Sequence, residues 1–111
     1  MDRVKLYQEY IQKIILDYKN EGSRPDTIDT VPVFDYPGHH YQLMLVGWRD
    51  ERRVYGIIFH FDIIDGKIWL QYNGTEVDFA QELVEMGVPK KDIVIGFHSP
   101  FARQFTEYAL D

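Results

Sequence analysis

Hydrophobic positions in this chain follow two periods in turn. Over residues 2–19, Tyr7, Ile11, Ile14, Ile15 and Tyr18 fall on one face of a helix. Asn20, Gly22, Ser23, Pro25 and Asp26 are turn formers that stop it. The period then shortens to two. Residues 30–35, 41–49, 53–63 and 67–72 read as four strands. Pro32 removes a ladder donor from the first, which predicts an edge strand.

Asp65-Gly66 predicts a two-residue hairpin loop, because both residues tolerate positive φ. That loop sets Ile64 opposite Lys67, and then Ile63 opposite Ile68, Phe61 opposite Leu70 and Phe59 opposite Tyr72, the last three pairs forming one apolar face. The other face then pairs Asp62 with Trp69 and His60 with Gln71. A slip of one residue would mix the faces, so the register is strongly specified. A second hairpin is expected near Asp50-Glu51-Arg52. Its leading strand is apolar on both sides, with Tyr41, Leu43 and Leu45 on one and Met44, Val46 and Trp48 on the other. Such a strand is expected to be covered twice. Val46, Trp48 and Ile58 are therefore candidates for a face joining copies of the chain, and a homo-oligomer is expected.

After Asn73-Gly74, Thr75-x-x-Asp78 reads as a capping box opening a helix with Ala80, Leu83 and Val84 as its stripe. Gly87 and Pro89 end it. Residues 93–97 predict a fifth strand, placed parallel to the fourth by the helical crossover. Ser99 caps a last helix with Pro100 at its first position and Phe101, Phe105 and Tyr108 as its buried face. The fold class expected is α+β: an N-terminal helix, an antiparallel meander sheet of four to five strands with the last parallel, and two C-terminal helices. Residues 1–111 are expected to form a single domain.

Composition narrows the function. The 111 residues include no cysteine, which excludes disulfides, zinc–thiolate sites and thiol nucleophiles and suits a reducing, cytoplasmic setting. The first ten residues are charged and lack the apolar core of a signal peptide, and no apolar run would span a bilayer. Twelve basic residues against 18 acidic give a net charge of −6, so strong nonspecific binding to nucleic acid is not expected.

Candidate chemistry gathers on the mixed strand face. His60 and Asp62 lie two apart and share a side of the sheet, with Lys67, Trp69 and Gln71 opposite, which makes these five a candidate partner or functional face. A histidine–carboxylate pair suits a general base or a metal, and a small metal-assisted hydrolase is the alternative function it suggests. Two ligands fall short of the three that a catalytic zinc usually takes, so no metal, cofactor or catalytic residue is expected. His39-His40 reads as a solvated turn. Ser99 reads as a helix cap, and with Arg103 one turn later it makes a candidate anion site. Arg49, Arg52 and Arg53 are interrupted by acids at a hairpin tip. With Lys90 and Lys91 they form the basic set that direct DNA contact would use.

Long motifs in order resemble one family. They are VGW at 46–48, RVYG at 53–56, HFDIIDGKIW at 60–69, NGTE at 73–76, ELVEMGVPKKDIV at 82–94 and FHSP at 97–100. The chain is similar to XisI-like proteins, the fdxN element excision controlling factors. The resemblance implies an accessory factor for programmed excision of a DNA element, acting without chemistry of its own. Its implied partners are a sister XisH-like controlling factor and a separate site-specific recombinase.

Overall fold

The computed structural model describes residues 2–111. Its elements are α1 (Arg3–Glu21), β1 (Ile28–Asp35), β2 (His40–Arg49), β3 (Arg52–Ile64), β4 (Lys67–Asn73), α2 (Phe79–Glu85), a 3-10 turn (Lys90–Asp92), β5 (Ile93–Ile95) and α3 (Pro100–Arg103). One sheet carries all five strands in chain order. Successive pairs are antiparallel up to β4, and β4 pairs in parallel with β5 through the crossover that holds α2. The expected fold is the one observed. β1 lies at an edge, where the missing donor of Pro32 is tolerated.

The helical stripe does what its spacing dictates. Tyr7, Ile11, Ile14 and Ile15 are buried against the inner face of the sheet, and Asp2 caps α1 by accepting from the Val4 amide at 2.9 Å. Phe59, Phe61 and Phe79 form the centre, with ring centroids 4.5–6.0 Å apart in tilted and edge-on pairs. Ala80 and Leu83 of α2 close the same layer. Tyr7 donates to Asp92 at 2.5 Å and so ties α1 to the turn before β5.

Two bulges modify the expected registers. The 65–66 hairpin pairs Ile64 with Lys67, Ile63 with Ile68, Asp62 with Trp69 and Phe61 with Leu70. Beyond that point, His60 faces Tyr72 and Phe59 faces Asn73, in place of Gln71 and Tyr72. Gln71 is the extra residue, and Tyr72 is displaced from the apolar face and is half-exposed. A second bulge lies between Leu43 and Met44, where Phe59 and Ile57 are the partners and Ile58 is the extra residue. Ile58 is therefore buried in the core, and Ile57 takes the outward place expected for it.

Two helix readings are also corrected. Thr75 does not open α2. Its amide and hydroxyl both donate to the Asn73 side chain, and its hydroxyl oxygen accepts from the Val77 amide. These local bonds hold a loop, and Asp78 caps the helix by accepting from the Gln81 amide. Ser99 caps α3 as expected, accepting from Ala102 at 3.1 Å, but the helix ends at Arg103. Phe101 and Phe105 are exposed and Tyr108 is half-buried, so the expected apolar face does not form. Arg103 is the residue that turns inward there.

Candidate functional site

α1 and α2 lie on the inner face. The C-terminal segment with α3 covers the outer face at β4 and β5, where Arg103 lies over Trp69 and Val94 is buried, and the outer face of β1 to β3 is open among the described residues. Its lower part is apolar. Val31, Val33, Trp48, Tyr55, Ile57 and Tyr72 are all more than a third exposed. A shallow groove of about 710 Å³ runs between Gln42, Met44, Tyr55, Gly56, Ile57 and Tyr72. Arg53 lies over the Trp48 ring at 5.3 Å and the Tyr55 ring at 5.9 Å, so its side chain is held against aromatic faces. Val46 is half-buried on this face beside Trp48.

A polar cluster lies at the end of the groove. His60 sits between Gln42 and Tyr72 in the ladder, and both of those residues line the groove. Asp62 is buried, although it points to the open face. Its Oδ1 lies 2.6 Å from His60 Nε2 and 2.7 Å from His40 Nδ1. Its Oδ2 accepts from the Gln71 amide at 3.1 Å. Burial alone would raise the Asp62 carboxyl. The bonds from His40, His60 and Gln71 outweigh that effect and hold it below its ordinary value. The bond to Asp62, and then its charge, raises the His40 imidazole above its usual pKa.

The bulges assemble this cluster. The one at Gln71 leaves that residue without a ladder partner, its amide bonded to Asp62, and Gly96 makes the room. A Cβ at Gly96 would lie 2.4 Å from the Gln71 side-chain oxygen. The one at Ile58 sets His40 directly opposite Asp62. His40 was expected in a solvated turn. It is more than half exposed but stands on β2 as the third member of the group.

The other candidates disperse. Trp69 faces Asp62 in the ladder, but its ring is covered by the Arg103 guanidinium at 5.0 Å. Lys67 donates to the Asp111 carbonyl at 2.5 Å, away from the cluster. Ser99 and Arg103, the candidate anion pair, are both engaged within the chain. Ser99 is occupied as a cap, and Arg103 donates to the carbonyls of Ile95, Gly96 and Leu110 at 3.3, 3.4 and 3.2 Å. A guanidinium with three carbonyl partners and an aromatic cover anchors the C-terminal segment. The basic set is likewise scattered, with Lys90 paired to Glu107.

No helix among the described residues is long and apolar enough to cross a membrane. Residues 1–110 match the family model described as XisI protein. The fold is similar to that of an XisI-like protein from Anabaena variabilis, at 42% identity over 97% of this chain and 99% of that one, with a TM-score of 0.93. It is also similar to the fdxN element excision controlling factor XisI from Anabaena variabilis. There the identity is 34% over 99% of this chain and 100% of that one, with a TM-score of 0.86. No curated protein matches the chain.

Proposed function

The chain belongs to the XisI family, and from that premise we propose that it is an accessory factor controlling excision of a DNA element, acting through protein contacts. The observation that carries the reading is the family match over residues 1–110, together with likeness across the whole of a solved excision controlling factor. The mode of action rests on the surface. A net charge of −6 repels phosphate, and the arginines at the hairpin tip lie among acids and aromatic rings. Influence on DNA then passes through another protein.

The surface offered to that protein is the open sheet face. Four strands at ~4.8 Å spacing and about six residues at ~3.3 Å rise give a patch of roughly 400 Å². The largest apolar patch on a soluble protein is commonly of that size and is often functional. Trp48 and Tyr55, exposed and held by Arg53, are the aromatic anchors that such interfaces favour. The partners proposed are a sister controlling factor and a site-specific recombinase. Self-association through the same face is the companion proposal.

The test is co-purification from cells that carry the element, paired with an excision assay. The wild-type chain is expected to recover a sister factor or recombinase. A Trp48→Glu, Tyr55→Glu variant is expected to remain folded, lose at least ~10-fold of that recovery and fail to support excision, because both residues are interface anchors and neither is core. Excision that proceeds undiminished without this chain would remove the proposal.

A further inference from the structure

We propose that His40, His60 and Asp62 form a binding site for a divalent first-row transition ion, with water completing its shell. The inference stands apart from the excision role and needs no partner protein.

The donor set is the first argument. His40 Nδ1, His60 Nε2 and an Asp62 oxygen lie within 4.8 Å of one another, and they are the one such group among the described residues. Two imidazoles and a carboxylate suit zinc and its neighbours, and three protein ligands with an open position are the common arrangement of exchangeable zinc.

The second argument is the shape of the contact. A single oxygen, Asp62 Oδ1, receives both ring nitrogens at 2.6 and 2.7 Å. In the metal-free protein two N–H protons fill that gap. A cation in the same gap would meet two nitrogen lone pairs and a carboxylate oxygen once each ring proton has moved to the other ring nitrogen or, from an imidazolium, to solvent. Ligands ~2.0–2.1 Å from a tetrahedral ion stand roughly 3.3 Å from one another, so the gap must widen by roughly 0.6 Å. His40 can supply its part of that movement, because more than half of its side chain is exposed, and the His60 ring, about a quarter exposed, must turn to open the second gap.

The third argument is support from behind. Gln71 holds the remaining Asp62 oxygen at 3.1 Å, which is how carboxylate ligands are oriented in metal sites. At the β4 bulge Gln71 has no ladder partner and lies on the same face as Asp62. The open side of the cluster adjoins the groove beside His60, which leaves a path for water and for the ion.

The experiment is titration of the chelator-stripped full-length chain with Co²⁺, read by visible d–d absorption, followed by displacement with Zn²⁺. The chain has no cysteine, so no thiolate band overlies the signal. One equivalent of Co²⁺ per chain is expected, displaced by one of Zn²⁺. His40→Gln, His60→Gln and Asp62→Asn are each expected to lose the absorption. Gln71→Ala is expected to bind about 10–100-fold more weakly, as loss of an orienting partner does. His98→Gln, a histidine outside the group, is expected to bind like wild type. Absent uptake at ~100 μM metal and neutral pH, where typical protein sites are filled, overturns the proposal. So does uptake that survives His60→Gln or Asp62→Asn. Because His40 lies on the surface, His40→Gln keeps the test decisive even if the buried variants unfold.

Discussion

Replacing Arg103 with Met separates the two roles this residue could have. The side chain is 9% exposed and donates to the carbonyls of Ile95, Gly96 and Leu110 at 3.3, 3.4 and 3.2 Å. Methionine keeps most of the apolar stem and removes the donors. These bonds are long for charged donors, so about 0.5–1 kcal/mol each is appropriate, the lower part of the usual range. The Ile95 carbonyl keeps a second donor, the His98 amide at 3.1 Å, which limits the penalty there. Loss of the Trp69 cation–π contact adds about 0.5–1 kcal/mol. The sum is roughly 2–4 kcal/mol, or a fall in Tm of about 8–16 °C for a domain of this size. Urea and thermal unfolding measure it. Hydrogen exchange should show the largest loss of protection at the Ala109 amide, which bonds the Ile93 carbonyl at 2.9 Å beside the anchor. A stability change within ~0.5 kcal/mol, the range of ordinary surface substitutions, would refute the anchoring role. It would restore the anion site if sulfate also stabilised wild type but not the variant.

Two further outcomes follow from the core. Burial, and then the hydrogen bond to Asp92, pushes the Tyr7 hydroxyl up to about 12. The native chain therefore holds a proton that the unfolded chain releases near ~10, and the stability this gives is full below that pH and lost as pH rises through the folded pKa. Wild type should lose up to roughly 2–3 kcal/mol more than Tyr7→Phe across that window, and parallel alkaline unfolding curves for the two proteins would disprove it. Gly47→Ala should cost at least ~2 kcal/mol by overpacking. Its Cβ would lie 2.1 Å from the Thr27 carbonyl oxygen and 2.7 Å from Ile28 Cα, both backbone atoms. Gly56→Ala on the neighbouring strand meets nothing within 4 Å and should be neutral or slightly stabilising, so equal effects in urea melts would contradict the steric account.

Periodicity and turn chemistry, which are local, were legible in the chain itself. They place α1, the four strands of the meander, the Asp65-Gly66 hairpin and the Ser99 cap. They also identify the apolar face of Phe59, Phe61, Ile63, Ile68 and Leu70, all buried. The limits of α3 were not legible. The Phe101–Phe105 spacing fits a helix, but nothing in it reveals that Arg103 finds three carbonyls elsewhere in the fold.

The polar cluster shows the division most clearly. His60 and Asp62 share the outer face by strand parity, as Lys67–Ile64 pairing requires. The Arg49–Arg52 pairing at the other hairpin puts Arg53, Tyr55 and Ile57 outward on the same strand. The two parities differ by one residue, so β3 must hold an irregularity between them. It falls at Ile58, whose side chain is buried in the core while that of Ile57 is more than a third exposed. The same step carries His40 from opposite Phe61 to opposite Asp62. Sequence alone placed two of the three cluster residues on one face. Only the tertiary structure, through one extra residue in a strand, brought the third within bonding distance.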